Sequence, residues 1–216
     1  MSAAAQNANA GKIGALHARN TGKKYLSVSG LVLASALLVT SAPAQENTIV
    51  ALGDSNTAGF GVGPQQAFPA RLAEKLRAQG QPVQVVNAGV TRDTLEGMLS
   101  RVDTSVPQGT RLVIVQGGYN DLVNRVPPDV TAASLEGILA RLRARHVKAV
   151  VCGFFDRNWD AIGRKLSARY GATFVSGSTC YDPNHAGPDG LHMSAEGHEV
   201  VAGRLARVVQ PGSRHQ

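Results

Sequence analysis

The sequence predicts an α/β protein in which a five-stranded parallel sheet lies between two layers of helices. Two observations carry that expectation. Short apolar, β-branched runs alternate with helix-periodic segments, five of each, and such alternation is the mark of strands joined by helical crossovers. The polar, glycine-containing stretches also follow the strand runs, which is where ligands collect in sheets of this kind. Right-handed crossovers then give a three-layer α/β/α sandwich.

The strand runs fall at residues 48–52, 83–87, 111–115, 147–152 and 172–175. The first helix, 67–79, repeats Phe68, Leu72 and Leu76 at intervals of four. The second, 93–102, opens with Asp93 and Glu96 three residues apart, the pattern of a capping box. The third, 131–146, sets Leu135, Ile138, Leu139 and Leu142 on one face. A shorter helix covers 159–170, and the last, 194–209, has Ser194 as N-cap candidate and Glu196 in its first turn.

The chain has 216 residues, and its front reads as a leader. Lys12, Arg19, Lys23 and Lys24 precede an apolar stretch over 25–40, and Ala42-Pro43-Ala44 supplies a small-residue cleavage site. These are the parts of a secretory signal. The apolar stretch is shorter than the roughly 20 residues of a membrane span. The expected organisation is a signal peptide over 1–44, one folded domain over 45–210 and a flexible tail over 211–216, exported to the periplasm or beyond. Removing 44 residues from 216 leaves 172, enough for one hydrophobic core. The leader holds four basic residues and no acid, so the formal charge of +7 falls to +3 without it. That balance gives no reason to expect nucleic acid as a partner. Arg141, Arg143, Arg145 and Lys148 fit the solvated face and end of a helix, with no interleaved aromatics to stack bases.

Export permits disulfides. Cys152 and Cys180 both follow strand runs and pair if those strands are neighbours; otherwise they are small buried side chains. No CxxC or HExxH occurs, and no metal or cofactor is expected.

The stretch Gly53-Asp54-Ser55-Asn56 opens a glycine-rich turn after the first strand. A Walker loop needs Gly and Lys where Ala58 and Gly59 stand, and a dinucleotide fingerprint needs Gly where Pro64 stands. The GxSxG elbow fails because Asp54 precedes Ser55 and Thr57 stands at the second glycine's place. None of these common glycine-rich templates fits the turn.

Four blocks appear in order: Gly53-Asp54-Ser55, Asn87-Ala88-Gly89, Gly118-Tyr119-Asn120-Asp121 and Asp189-Gly190-Leu191-His192. Together they resemble the SGNH, or GDSL-type, hydrolase family over nearly the whole exported part. Leu52-Gly53-Asp54-Ser55, Phe68-Pro69-Ala70-Arg71-Leu72 and Val85-Val86-Asn87-Ala88 resemble its bacterial arylesterase, thioesterase and lysophospholipase group. The resemblance implies a flavodoxin-like fold and hydrolysis of short-chain or aryl carboxylic esters, thioesters or lysophospholipids. Alternatives on the same fold are a carbohydrate O-acetyl deacetylase and a catalytically idle protein that binds an acyl ligand.

The chemistry follows from residue types. A serine hydroxyl needs a base, and His192 is the candidate. Asp189 can fix the imidazole tautomer and stabilise the imidazolium. By resemblance, the N–H of Ser55, a backbone N–H of the second block and the side-chain amide of Asn120 form an oxyanion hole. The family's second-block glycine usually sits five residues after the Asn, which here is Arg92. Its N–H survives that change, at roughly 1–2 kcal/mol if the position requires positive φ. The expectation is that the Arg92 N–H serves in the hole, with its guanidinium at the rim favouring anionic or polar acyl esters. Of the remaining polar residues, Asp54 and Asp121 are expected to fasten loops, Trp159 to pack a helix and His198 to lie on the surface.

Overall fold

The computed structural model describes residues 47–210 apart from 82, 154 and 155. The expected leader and tail therefore lie outside the described residues. Five strands, β1 (Thr48–Gly53), β2 (Gln84–Gly89), β3 (Thr110–Gln116), β4 (Lys148–Cys152) and β5 (Thr173–Val175), form one all-parallel sheet in the order β2-β1-β3-β4-β5. This is the flavodoxin-like order, whose switch point lies between β1 and β3.

Parallel strands buried on both faces send alternate side chains to opposite layers. In β1, Ile49 and Ala51 pack among Phe68, Leu72, Leu76, Val201 and Leu205. Val50 and Leu52 pack on the other face with Leu95, Met98, Leu135, Ile138 and Leu142. The first layer comes from α2 (Phe68–Ala78) and α8 (Ala195–Val208). The second comes from α3 (Leu95–Ser105), α5 (Pro128–Ala144) and α6 (Arg157–Tyr170). Each fully buried aliphatic contributes about 1.5–3 kcal/mol. Three four- or five-residue helices, α1 (Ser55–Ala58), α4 (Tyr119–Val123) and α7 (Gly177–Cys180), complete the set of α-helices among the described residues.

The sheet's register positions the site. Gly53 pairs with Gly89 on one side and Gln116 on the other, so β1, β2 and β3 end level and release their loops together. Close packing dictates both glycines. A Cβ on Gly53 would come within 2.1 Å of Thr57 Oγ1, and one on Gly89 within 2.1 Å of the Ala58 backbone nitrogen. Gly53 thus lets α1 sit against the sheet, and Gly89 lets β2 end against α1.

Three sequence expectations need correction or completion. Thr94, not Asp93, caps α3: its Oγ1 accepts from Gly97 N at 3.2 Å. The Asp93 carboxylate is drawn away by Arg101, which donates to Oδ2 through Nε at 2.8 Å and Nη2 at 2.7 Å. His198 is fully buried rather than on the surface. It shares the inward stripe of Val201, Ala202 and Leu205, and its Nδ1 accepts from Phe68 N at 3.2 Å. Burial pushes that imidazole down to about 4, which keeps it neutral. Cys152 and Cys180 are joined as a disulfide that ties the end of β4 to α7.

Candidate active site

Ser55 opens α1, directly off β1. Asp54 is the N-cap, and its Oδ1 accepts from Asn56 N at 3.0 Å. The first N–H groups of a helix have no intrahelical acceptor, so the Ser55 N–H is available at the sheet's edge. Gly59, at φ 85°, ends the helix after one turn, and the chain folds back through Phe60 N donating to Ser55 O at 3.0 Å.

Ser55 Oγ lies 2.9 Å from His192 Nε2 although 137 residues separate them. The histidine comes from a loop that wraps around one carboxylate. Asp189 Oδ1 accepts from Leu191 N at 3.0 Å and His192 N at 2.9 Å, and Oδ2 lies 2.5 Å from His192 Nδ1. With a carboxylate at Nδ1, the ring proton belongs there, and the Nε2 lone pair faces the serine. The contact with the His192 ring, then the two backbone donors, hold the Asp189 carboxyl far below the usual carboxylate range.

The two halves are also joined directly. Met193 N donates to Asn56 Oδ1 at 3.1 Å, so the residue after Ser55 anchors the residue after His192. The Phe60 ring stands 4.4 Å from the His192 ring. Tyr181 OH donates to Leu191 O at 2.9 Å.

The other two sequence-predicted residues come from neighbouring loops. Arg92 occupies the third position of a β-turn closed by Asp93 N donating to Val90 O at 3.1 Å. Its φ is 66°, where a type II turn favours glycine. Asn120, in the first turn of α4, donates from Nδ2 to Asp93 O at 2.9 Å. An amide nitrogen has two hydrogens, so one remains for another acceptor.

Arg101, which drew no notice in the sequence, holds this turn in place. Beyond its two bonds to Asp93, it donates to Ala88 O at 2.9 Å and Gly53 O at 3.2 Å, the ends of β2 and β1. Gln116 was also missed. Its Oε1 accepts from Thr57 Oγ1 at 2.6 Å, and its side chain also hydrogen-bonds Asp54. Burial pushes the Asp54 carboxyl up to about 6, against the opposing pull of the Asn56 N–H, Gln116 and the nearby His192 ring. Asp121 accepts from Leu95 N at 3.1 and 3.3 Å, so both aspartates fasten loops as expected. Trp159 packs on Gly118 in the α6 layer, likewise as expected.

A cavity of about 220 Å³ is lined by Asp54 and Asn56, the chain neighbours of Ser55, with Gln116, Tyr119, Cys180 and Leu191 among others. Among the described residues, no group of three or more His, Cys, Asp or Glu side chains is placed to hold a metal ion.

Residues 51–200 match the GDSL-like lipase/acylhydrolase family. The chain belongs to that family. Relatives agree in chemistry: a thioesterase 1/protease 1/lysophospholipase L1 of Escherichia coli K12 is 26% identical over 192 residues, covering 83% of this chain and 91% of its own. Esterase TesA of Pseudomonas aeruginosa is 31% identical over 131 residues, covering 60% of this chain and 64% of its own. The crystal structure of AlinE4, an SGNH-hydrolase family esterase, superposes with a TM-score of 0.62 at 28% identity, over 79% of this chain and all of that one. The family and these relatives make the protein an ester-hydrolysing enzyme acting on small molecules. Its fold is that of the SGNH hydrolases.

Proposed function

We propose that this enzyme is a serine esterase in which Ser55, His192 and Asp189 act as nucleophile, general base and orienting carboxylate on short-chain or aryl esters. The observation that carries the reading is the linked pair of contacts, 2.9 Å from Ser55 Oγ to His192 Nε2 and 2.5 Å from His192 Nδ1 to Asp189 Oδ2. His192 takes the serine proton as Oγ attacks the ester carbonyl. The same proton then goes to the departing alkoxide, which leaves as alcohol and an acyl-Ser55 ester. Water, activated by His192, attacks that ester and releases the acid, restoring Oγ–H.

The tetrahedral oxyanion takes donors from the Ser55 N–H, the Arg92 N–H and Asn120 Nδ2. Losing one such donor typically costs about 2.7–4 kcal/mol of transition-state stabilisation. The bond from Asn120 to Asp93 O supports this grouping, because it locks the amide to the residue that follows Arg92. A cavity of about 150 Å³ suffices for benzene, so a space of about 220 Å³ suits a short acyl chain or one aromatic ring. Thioesters and lysophospholipids, which the E. coli relative's name includes, are longer substrates for the same chemistry. Export to the periplasm or beyond completes the reading, supported by the leader pattern of 1–44 and by the Cys152–Cys180 disulfide.

The test is a chain-length series of p-nitrophenyl esters beside acyl-CoA and acetylated sugars, with Ser55→Ala as control. The reading expects highest kcat/KM on acetyl to butyryl or aryl esters and background rates in the variant. Activity that persists in Ser55→Ala overturns the mechanism. A preference for acetylated sugars makes the protein a deacetylase.

A further inference from the structure

Five large apolar side chains are well exposed among the described residues: Phe60, Val90, Leu122, Val123 and Val130. Scattered singly they would mean nothing. Four of them lie on the three loops that leave β1, β2 and β3 together. Phe60 is on the β1 loop against His192, Val90 opens the turn that contains Arg92, and Leu122 and Val123 follow Asn120 in α4. They are between 46% and 57% exposed, so folding leaves their apolar surface in water on the loops that carry Ser55, Arg92 and Asn120.

The charges on these loops have one sign. Every acid is withdrawn: Asp54 and Asp121 are buried and hydrogen-bonded to backbone, and Asp93 is paired with Arg101. The exposed charges that remain are Arg92 and Arg125, and neither guanidinium makes an ion pair or hydrogen bond among the described residues. Both also hold positive φ, 66° and 55°, and they are two of only three non-glycine residues that do so among the described residues. At such turns glycine is cheaper by roughly 1–2 kcal/mol. A side chain kept at that cost in exposed, unpaired form points to use outside the fold.

We propose that the mouth of the site is a docking surface for anionic amphiphile assemblies, with Phe60, Val90, Leu122 and Val123 entering the apolar layer and Arg92 and Arg125 meeting its anionic headgroups. Apolar side chains ringed by cations bind such interfaces through buried area together with electrostatic attraction. The surface would deliver an acyl ester from the assembly to Ser55, so the inference rests on the esterase reading. Its test does not depend on turnover.

The experiment measures co-sedimentation of full-length Ser55→Ala protein with vesicles of ether-linked lipid, phosphatidylcholine alone or mixed with phosphatidylglycerol. Binding is expected to the mixed vesicles, to weaken with added salt and to be slight on phosphatidylcholine. In that background Arg125→Gly, which removes a cation and suits the local φ, lowers the partition coefficient about fivefold. Val123→Ser lowers it further, and Arg125→Gly alone leaves kcat/KM on a soluble acetyl ester unchanged. No binding to the mixed vesicles, equal binding to both kinds, or no effect of either variant overturns the proposal. Failure of the esterase reading would show separately, as activity remaining in Ser55→Ala.

Discussion

Asp189 and His192 sit on a loop that organises itself, whereas the turn carrying Arg92 is held from elsewhere. In the first, one carboxylate three residues from the imidazole collects two backbone N–H groups and the ring. The partners of that carboxylate all lie within four residues of chain, although Tyr181 and Asn56 also hold the loop at Leu191 and Met193. In the second, an unfavourable φ at Arg92 is enforced by Asp93, which Arg101 grips from two turns along α3. Asn120 closes it from a third element. The self-organised loop gains its geometry as it forms, while the propped turn depends on the whole sheet edge being assembled. The two loops should therefore fail differently when cut.

The largest effect should come from Asp189→Asn. Asn keeps an acceptor oxygen for Leu191 N and His192 N, so the loop should keep its shape. Its NH₂ group cannot accept from Nδ1–H, and the wrong tautomer then faces Ser55. A fall in kcat on the order of 10⁴ is expected, with Tm almost unchanged, as read by steady-state kinetics and thermal melts. Loss of fold with loss of activity would erase the contrast.

Arg101→Gln should do the reverse in kind. Removing the guanidinium leaves Asp93 largely enclosed and unpaired, and breaking such a pair costs about 3 kcal/mol. The turn is freed at the same time, and a displacement of about 1 Å at a reacting group can cost ~10²-fold. Both Tm and kcat should fall, KM less so. An undisturbed kcat would show that the turn needs no prop.

Asp54→Asn sharpens the comparison from the side of Ser55, because Asn also caps helices well. The Asp54 carboxyl is raised from 3.8 to about 6 on folding. Between those values the folded state holds more protons than the unfolded one, so stability from this group falls as pH rises through the window. Above it the full cost is present, up to about 3 kcal/mol at 1.36 kcal/mol per unit. The variant should gain stability over the parent at pH 7 and little at pH 4, measured by denaturant titration at each pH. A pH-independent difference would contradict the assignment.

The smallest effect belongs to Arg92→Gly. Relieving positive φ by about 1 kcal/mol should raise Tm by roughly 2–4 °C. The backbone N–H remains, so kcat should stay within a few-fold. A large loss of kcat would make the guanidinium itself a catalytic residue.

The same contrast explains how far the sequence could be read. Alternating strand and helix periodicities were local, and so was Asp189-x-x-His192; both were legible. Arg92's strain was foreseeable only conditionally, from the displaced glycine. The bond from Arg101 to Gly53 O spans 48 residues and carries no spacing rule that could reveal it. Asn56 bonding Met193 N is equally hidden, since it joins residues 137 apart. His198 is different. Its spacing to Val201, Ala202 and Leu205 marks the buried stripe of α8, and periodicity should have outweighed the polarity of its side chain.

The central claim is that His192, oriented by Asp189, makes Ser55 a nucleophile. Treating folded protein with a fluorophosphonate and mapping the adduct by mass spectrometry tests it most directly. The account predicts one adduct per chain, on Ser55, in step with loss of esterase activity, and almost none in His192→Ala. An active, folded enzyme that stays unlabelled at Ser55, or keeps its activity once Ser55 is blocked, would contradict it.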